Sequence, residues 1–454
     1  MLTGYTKLVL QLTGFIRRLH PNHRRIAKGM LAVAVFVVAA KLIAMLKEMA
    51  VAWRYGTGTE VDAYLLALTI VTWLPVTVWS VATMVLVPRL VAVGNDAHDE
   101  TRFLAEIHGS ALVVGLVLSV AVAALAPLLV GWMAAGLPVE TRTLAISFTR
   151  QMSLLSLLTV LAGTFSLRLQ ARQQHSYTFL EGMPALVILT LILVAPADWR
   201  GGPLLWGTLA GALIQVTLLL WLIRSHDPPV GGIALRHTSS NWQGLYQGAA
   251  IMAFGQFVLS LTAPIDQYYA ASLGGGAIAV LGYANRLIAL IAGLGAVTIG
   301  RALLPVLSAA IARGDLALAR YQASKWAWLM MGVGGLATVI GWLLSPWVVA
   351  ILFERGAFTA QDTAIVSQLL RWLLLQLPFY FAGMALMQYL SSRSIYYPNM
   401  VAAILAIIAK LVLNNMLVGP YGVIGIAIST SVWFAVWWMV LHYFMVITDV
   451  EKRN

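Results

Sequence analysis

Apolar blocks long enough to cross a bilayer recur from one end of this sequence to the other, and no polar stretch between them is long enough to fold as a soluble domain. A membrane helix needs about 20 consecutive, mainly apolar residues. That recurrence restricts the chain to an all-α polytopic membrane protein. Of its 454 residues, 60% are hydrophobic and only 10% charged, so the membrane bundle is the protein. Read at bilayer length, the blocks give twelve expected helices, at 29–53, 63–92, 107–134, 143–168, 176–196, 203–223, 244–272, 277–311, 323–352, 363–391, 397–416 and 421–447. Proline at 75, 184, 264 and 378 is expected to kink four of them, which is tolerated where a bundle interior satisfies the freed backbone groups.

The charged residues set orientation. Cytoplasmic loops of membrane proteins are enriched in Lys and Arg. With the N-terminus inside, 19 of the 29 Lys and Arg residues fall in cytoplasmic segments or at the cytoplasmic ends of helices, four in exterior loops and six deeper within spans. An even helix count with both termini cytoplasmic follows. The formal charge of +12 is therefore a topology signal spread over helix ends, and nucleic acid is not an expected partner. Residues 1–28, with Arg17, Arg18, Arg24, Arg25 and Lys28, read as a basic interfacial segment against an anionic leaflet, not as a cleavable signal. With no cysteine, neither disulfide nor thiolate chemistry is available.

The longest internal polar connection, with Pro228, Pro229 and a Gly-Gly pair, divides the helices six and six. The expected units are an N-terminal lobe at 29–224, a cytoplasmic linker at 225–243, a C-terminal lobe at 244–447 and a tail at 448–454. Glu48 to Gly56 matches Asp266 to Gly274 at an offset of 218, and Ala162-Gly163 recurs as Ala382-Gly383 in the same chain order. Such weak, ordered matches point to a duplicated six-helix unit. Repeats of an even helix number share an orientation, which gives two lobes about a central cavity.

Deep within the spans, away from their cytoplasmic ends, lie six cations, Lys41, Lys47, Arg150, Arg286, Arg371 and Lys410, against two deep acids, Glu48 and Asp266. A charge at the centre of a membrane helix costs about 2.5–3.5 kcal/mol on insertion scales, so such residues normally face a polar cavity. Lipid cannot neutralise the positive excess, whereas an anionic substrate can. A diphosphate suits it, because the planar fork of Arg binds phosphate oxygens in bidentate fashion. Lys41, Lys47, Arg150, Arg286 and Arg371 are the expected diphosphate ligands; Glu48 and Asp266 are expected to hold the cations or bind a coupling ion. Plainer readings stand beside these. Arg150 and Arg371 can snorkel to the exterior boundary, Lys410 and Asn414 can bond between helices, and Asp266 can pair with Arg286. Lys410, Asn285 and Asp62 are secondary candidates. No metal site and no cofactor are expected, and H+, Na+ or the membrane potential is the expected driving force.

There is no P-loop, HExxH, GxSxG or Rossmann fingerprint, and exterior loops are short, which disfavours a membrane glycosyltransferase or ligase. Glu60 with Asp62, and Glu354 with Asp362, read as solvated loop acids.

The run Lys47-Glu48, Tyr55-Gly56-Thr57, Asp62-Ala63-Tyr64, Val87-Pro88 resembles the opening motif of the MviN/MurJ family, within the multidrug/oligosaccharidyl-lipid/polysaccharide (MOP) exporter superfamily. The second half is similar over Tyr283-Ala284-Asn285-Arg286-Leu287, then Leu352-Phe353-Glu354-Arg355-Gly356-Ala357-Phe358-Thr359, then Gly422-Val423-Ile424-Gly425. The resemblance implies a MOP-type fold of two six-helix lobes around a cavity. It also implies a monomeric flippase that moves a polyprenyl-diphosphate-linked saccharide, lipid II or a related envelope or exopolysaccharide precursor, across a bacterial inner membrane alongside envelope biosynthesis enzymes. It places Lys47 and Glu48 where the family has an arginine and an acid, and Arg286 at a cavity arginine. Three features depart from the family pattern: Lys at 47, an uncharged 63–88, and the lack of two further C-terminal helices. A drug or cation antiporter of the same superfamily is the alternative, disfavoured by a positive cavity.

Overall fold

The computed structural model describes residues 21–93, 97–172, 174, 177–226, 232–243, 245–393 and 395–447. Helices dominate them. We number the rods α1 (Pro21–Tyr55), α2 (Thr59–Val93), α3 (Ala97–Met133), α4 (Val139–Met152 and Leu154–Ala171), α5 (Tyr177–Leu180 and Met183–Val194) and α6 (Gly202–His226). After the linker come α7 (Leu245–Ser260 and Thr262–Ser272), α8 (Ala277–Ala312), α9 (Leu316–Phe353), α10 (Ala360–Leu374 and Leu377–Ser392), α11 (Tyr397–Tyr421) and α12 (Val423–Ile447). Ten helices among the described residues are long and apolar enough to cross a membrane; the remaining two rods are α1, with Lys41, Lys47 and Glu48, and α7, with Asp266.

Several rods are longer than their apolar blocks. α3 begins at Ala97 and not at 107, α9 at Leu316 and not at 323, and α1 at Pro21. Polar first turns extend a helix past the hydrocarbon edge without breaking its hydrogen bonding, so hydropathy underestimates them. Residues 1–20 of the expected segment 1–28 lie outside the described residues, and the tail 448–454 lies wholly outside them. The linker is described from 232, and residues 225 and 226 belong to α6.

Three of the four prolines mark helix breaks. Pro184 and Pro378 sit in the first turn of the second pieces of α5 and α10, and Pro264 in that of α7, positions where the missing N–H is not needed. Pro75 is different, lying inside an unbroken α2. α4 breaks at Ser153 without any proline.

Helices of residues 21–226 pack chiefly on one another, α5 on α6 and α4 on α2 and α3; those of 245–447 do likewise, α11 on α12 and α10 on α8 and α9. Small residues bring backbones close, as membrane packing requires. A Cβ at Gly207 or Gly211 of α6 would lie 2.8 or 2.4 Å from the Cα of Ile188 or Pro184 in α5. Outward faces are apolar: Leu343, Trp347 and Ile351, four residues apart on α9, are 62–70% exposed and form a stripe for lipid tails. Between the halves, α2 meets α7 and α8, and α9 meets α1.

Candidate functional site

The sequence KLIAMLKE puts Lys41 and Glu48 seven residues apart, two helical turns, with Lys47 beside Glu48. On α8, Arg286, Ala289, Leu290 and Gly293 share a face by the same periodicity. These two faces line a cleft of ≈ 220 Å³, with Lys41, Lys47, Glu48 and Arg286 as its charged walls and Ala185 of α5 at its side. Glu48 Oε1 accepts from Lys47 Nζ at 2.5 Å and from Arg286 Nε at 2.8 Å. The carboxylate therefore joins a cation of its own helix to one of the other half. Lys47 and Glu48 side chains are about one-tenth exposed, whereas Arg286 is 42% exposed, with its Nε turned to Glu48. Lys41 lies at the other end of the cleft; a Cβ at Gly293 would sit 3.2 Å from its Nζ. Three cations and one carboxylate leave the cleft positive, and small residues around it leave room for an anion.

Sequence reasoning missed Glu181. It sits at the break in α5, close enough to Lys41 to feel its charge. The short pre-proline turn at 181–182 was the available signal, since it interrupts an apolar block with a single acid.

The structure separates the other candidates from this cleft. Arg371 turns to α9, its Nε donating to the Trp342 carbonyl and the Ser345 hydroxyl, both at 3.1 Å. Arg150 is exposed on the first piece of α4. Asn285, next to Arg286, is exposed on the adjoining face of α8. Asp266 pairs with Lys410, Nζ to Oδ1 2.8 Å, and not with Arg286. The helix period explains these departures: depth along a span can be counted from sequence, but the face a lone charge presents depends on its neighbours.

Asp62 is not a solvated loop acid. It is fully buried, and its carboxylate accepts from the backbone N–H groups of Gly276, at 2.5 Å, and Ala279, at 2.8 Å. It thereby caps α8 from across the halves, where a carboxylate is favoured by the unpaired donors and the dipole of the helix start. Nearby, the Tyr283 hydroxyl donates to the Gly56 carbonyl at 2.7 Å, the Ala357 N–H to the Trp53 carbonyl at 2.8 Å, and Thr57 Oγ1 to Asp362 Oδ1 at 2.7 Å. Asp362 also closes a capping box with Thr359, so it too is engaged. Gly56 and Gly356 both take left-handed φ, 55° and 61°, and interlock: a Cβ on Gly56 would stand 2.4 Å from the Ala357 oxygen, and one on Gly356 2.2 Å from the Trp53 oxygen. The two segments that carry the sequence resemblance, around Tyr283 and around Gly356, thus bind the halves together at the end where α1 turns into α2. Arg286 lies one helical turn beyond Tyr283, toward the cleft.

A family model described as "Lipid II flippase MurJ" matches residues 51–450. The chain belongs to the MurJ family. Its MurJ relatives include a probable lipid II flippase of Bdellovibrio bacteriovorus, 28% identical over 262 residues, covering 55% of this chain and 49% of that one. A probable lipid II flippase of Helicobacter pylori strain 26695 is 31% identical over 195 residues, 42% and 41% of the two chains. The lipid II flippase MurJ of Burkholderia cenocepacia is 27% identical over 370 residues, 76% and 69%. The chain spans about half the length of the first curated relatives it matches. In three dimensions it is similar to a MurJ structure described as the inward closed conformation, with TM-score 0.80 at 19% identity, covering 91% of this chain and 87% of that one. An inward-facing MATE transporter of the MOP superfamily follows at TM-score 0.74 and 15% identity, covering 93% and 99%. The fold is MurJ- and MATE-like.

Proposed function

We propose that this chain is a transporter, not an enzyme. In this reading it is a flippase that carries a polyprenyl-diphosphate-linked saccharide, lipid II or a related envelope precursor, across the bacterial inner membrane by alternating access. The observation that carries the reading is the positive cleft between α1 and α8. Lys41, Lys47 and Arg286 bind the diphosphate, Glu48 spaces the cations while the cleft is empty, and the polyprenyl chain stays in the bilayer. Residues 21–226 and 245–447 act as two lobes that rock about this site, with both termini cytoplasmic. The bonds of Asp62, Tyr283, Thr57 and Ala357 then close the exterior end. Family membership supports lipid II as the cargo.

The charge of the cargo suits the direction. A diphosphate moved outward across an energised membrane gains about 2.3 kcal/mol per charge per 100 mV, so the potential itself drives export. The MATE-like fold leaves a drug or cation antiporter as a second reading. A cleft with three cations to one carboxylate repels such cargo.

Purified protein in liposomes containing fluorescent lipid II provides the test. Arg286→Ala removes a charge-assisted hydrogen-bond donor worth about 1.5–3 kcal/mol, so flipping should fall about tenfold or more while the protein remains folded in the membrane. Unchanged flipping by that variant overturns the cleft assignment. Flipping by neither protein, with a lipophilic cation moved instead, favours the antiporter.

A further inference from the structure

The charged pair outside the cleft is the most deeply buried in the described protein. Lys410 of α11 has no solvent exposure, and its ammonium lies 2.8 Å from Asp266 Oδ1 of α7 and 2.6 Å from Thr430 Oγ1 of α12. The surroundings are organised to face a cation. Thr430 donates its own proton to the Ile426 carbonyl at 2.8 Å, so its oxygen turns a lone pair to the ammonium. Asn414, one turn along from Lys410 and equally buried, lies with the Ile426 carbonyl within reach of the single Ser429 hydroxyl proton, which the two acceptors share. A carboxylate of α7 and a hydroxyl of α12 thus meet the ammonium of α11. Hard oxygen donors of this kind are the set that holds alkali and alkaline-earth cations.

We propose that the Lys410 ammonium is a tethered monovalent cation that permanently fills a cation site made by Asp266 and Thr430, with the buried Asn414–Ser429 pair one helical turn away. Asp266 is consequently closed to an exchangeable ion, and α7 is bonded to α11 and α12 by a charge that cannot leave. Breaking a buried pair by removing one partner leaves an unpaired charge, whereas supplying a free cation of fitting size can replace it. The proposal concerns the ion site alone and stands whether or not the chain flips lipid II.

The test measures melting temperature in detergent at constant ionic strength, with sodium, potassium, ammonium, methylammonium or tetramethylammonium chloride. Wild type should melt at the same temperature in all five. Lys410→Ala should melt lower, and a small cation, ammonium or methylammonium foremost, should restore most of the loss where tetramethylammonium does not. Lys410→Met, which fills the space with an apolar side chain, should show no such recovery. If Lys410→Ala does not fold, the double variant Asp266→Asn/Lys410→Met, neutral throughout, should fold and respond to none of the salts. The proposal is overturned if wild type is stabilised by sodium or potassium and Asp266→Asn abolishes that response. It is overturned equally if folded Lys410→Ala ignores every cation.

Discussion

Glu48 is one carboxylate serving two cations, and its substitution separates bonding from bulk. Glu48→Gln keeps the shape but leaves Lys47, about one-tenth exposed, without an anion. Orphaning a buried charge costs about 3–5 kcal/mol, so thermal unfolding in detergent should register a loss of that order. An unshifted melting temperature would show that the pair is solvated and the cleft wetter than its burial implies. At this scale the sequence was informative in one respect only. Lys41, Lys47, Glu48 and Arg286 could be singled out because a charge at membrane depth needs a reason, and helical spacing put two of them on one face. Arg371 met the same criteria yet spends its Nε on a carbonyl and a hydroxyl of α9. Nothing local distinguishes the two cases, since the partner is contributed by another helix.

Elements were legible where hydropathy and proline speak, and less so where polar residues continue a helix. The breaks at Pro184, Pro264 and Pro378 follow from the missing N–H; the break at Ser153 has no such cause in its own residues. The segment 225–243 reads from sequence as a linker, and its described part is docked. Glu106 of α3, fully buried, accepts from Thr238 N and Oγ1 at 2.8 and 2.7 Å, Ser239 N at 3.0 Å and Trp242 Nε1 at 2.7 Å. His237 stacks on Trp242 at 4.4 Å, and Trp242 packs on a second small core that includes Leu86, Phe103 and Leu167. One carboxylate thus fixes a loop to the first half. Glu106→Ala should free it, so trypsin should cleave after the exposed Arg236 faster than in wild type at equal total stability. Equal cleavage rates would show that the aromatic packing alone holds the linker.

For the whole molecule, one of the ordered sequence matches between the halves has a conformational counterpart: Gly56 and Gly274 share a left-handed φ. Glu48 and Asp266, matched in sequence, both hold lysines, but in different surroundings: one opens on a cleft and the other is sealed. Alternating access requires the closed end to part, and the chain has no native cysteine to interfere with a test. With the Thr57 and Asp362 side chains 2.7 Å apart, Thr57→Cys/Asp362→Cys should form a disulfide on oxidation, stop flipping, and recover on reduction. Undiminished flipping by the cross-linked protein would rule out opening at that end.

Because Arg286 is held to Glu48 by its Nε, an anion that grips the guanidinium through its full fork competes with the bond that spans the halves. Under the proposed function, loading the cleft and loosening its walls are then a single event. A carrier built this way is bolted by its own acid when empty, and only cargo of the right charge draws the bolt, so it turns over with a passenger and stays shut without one.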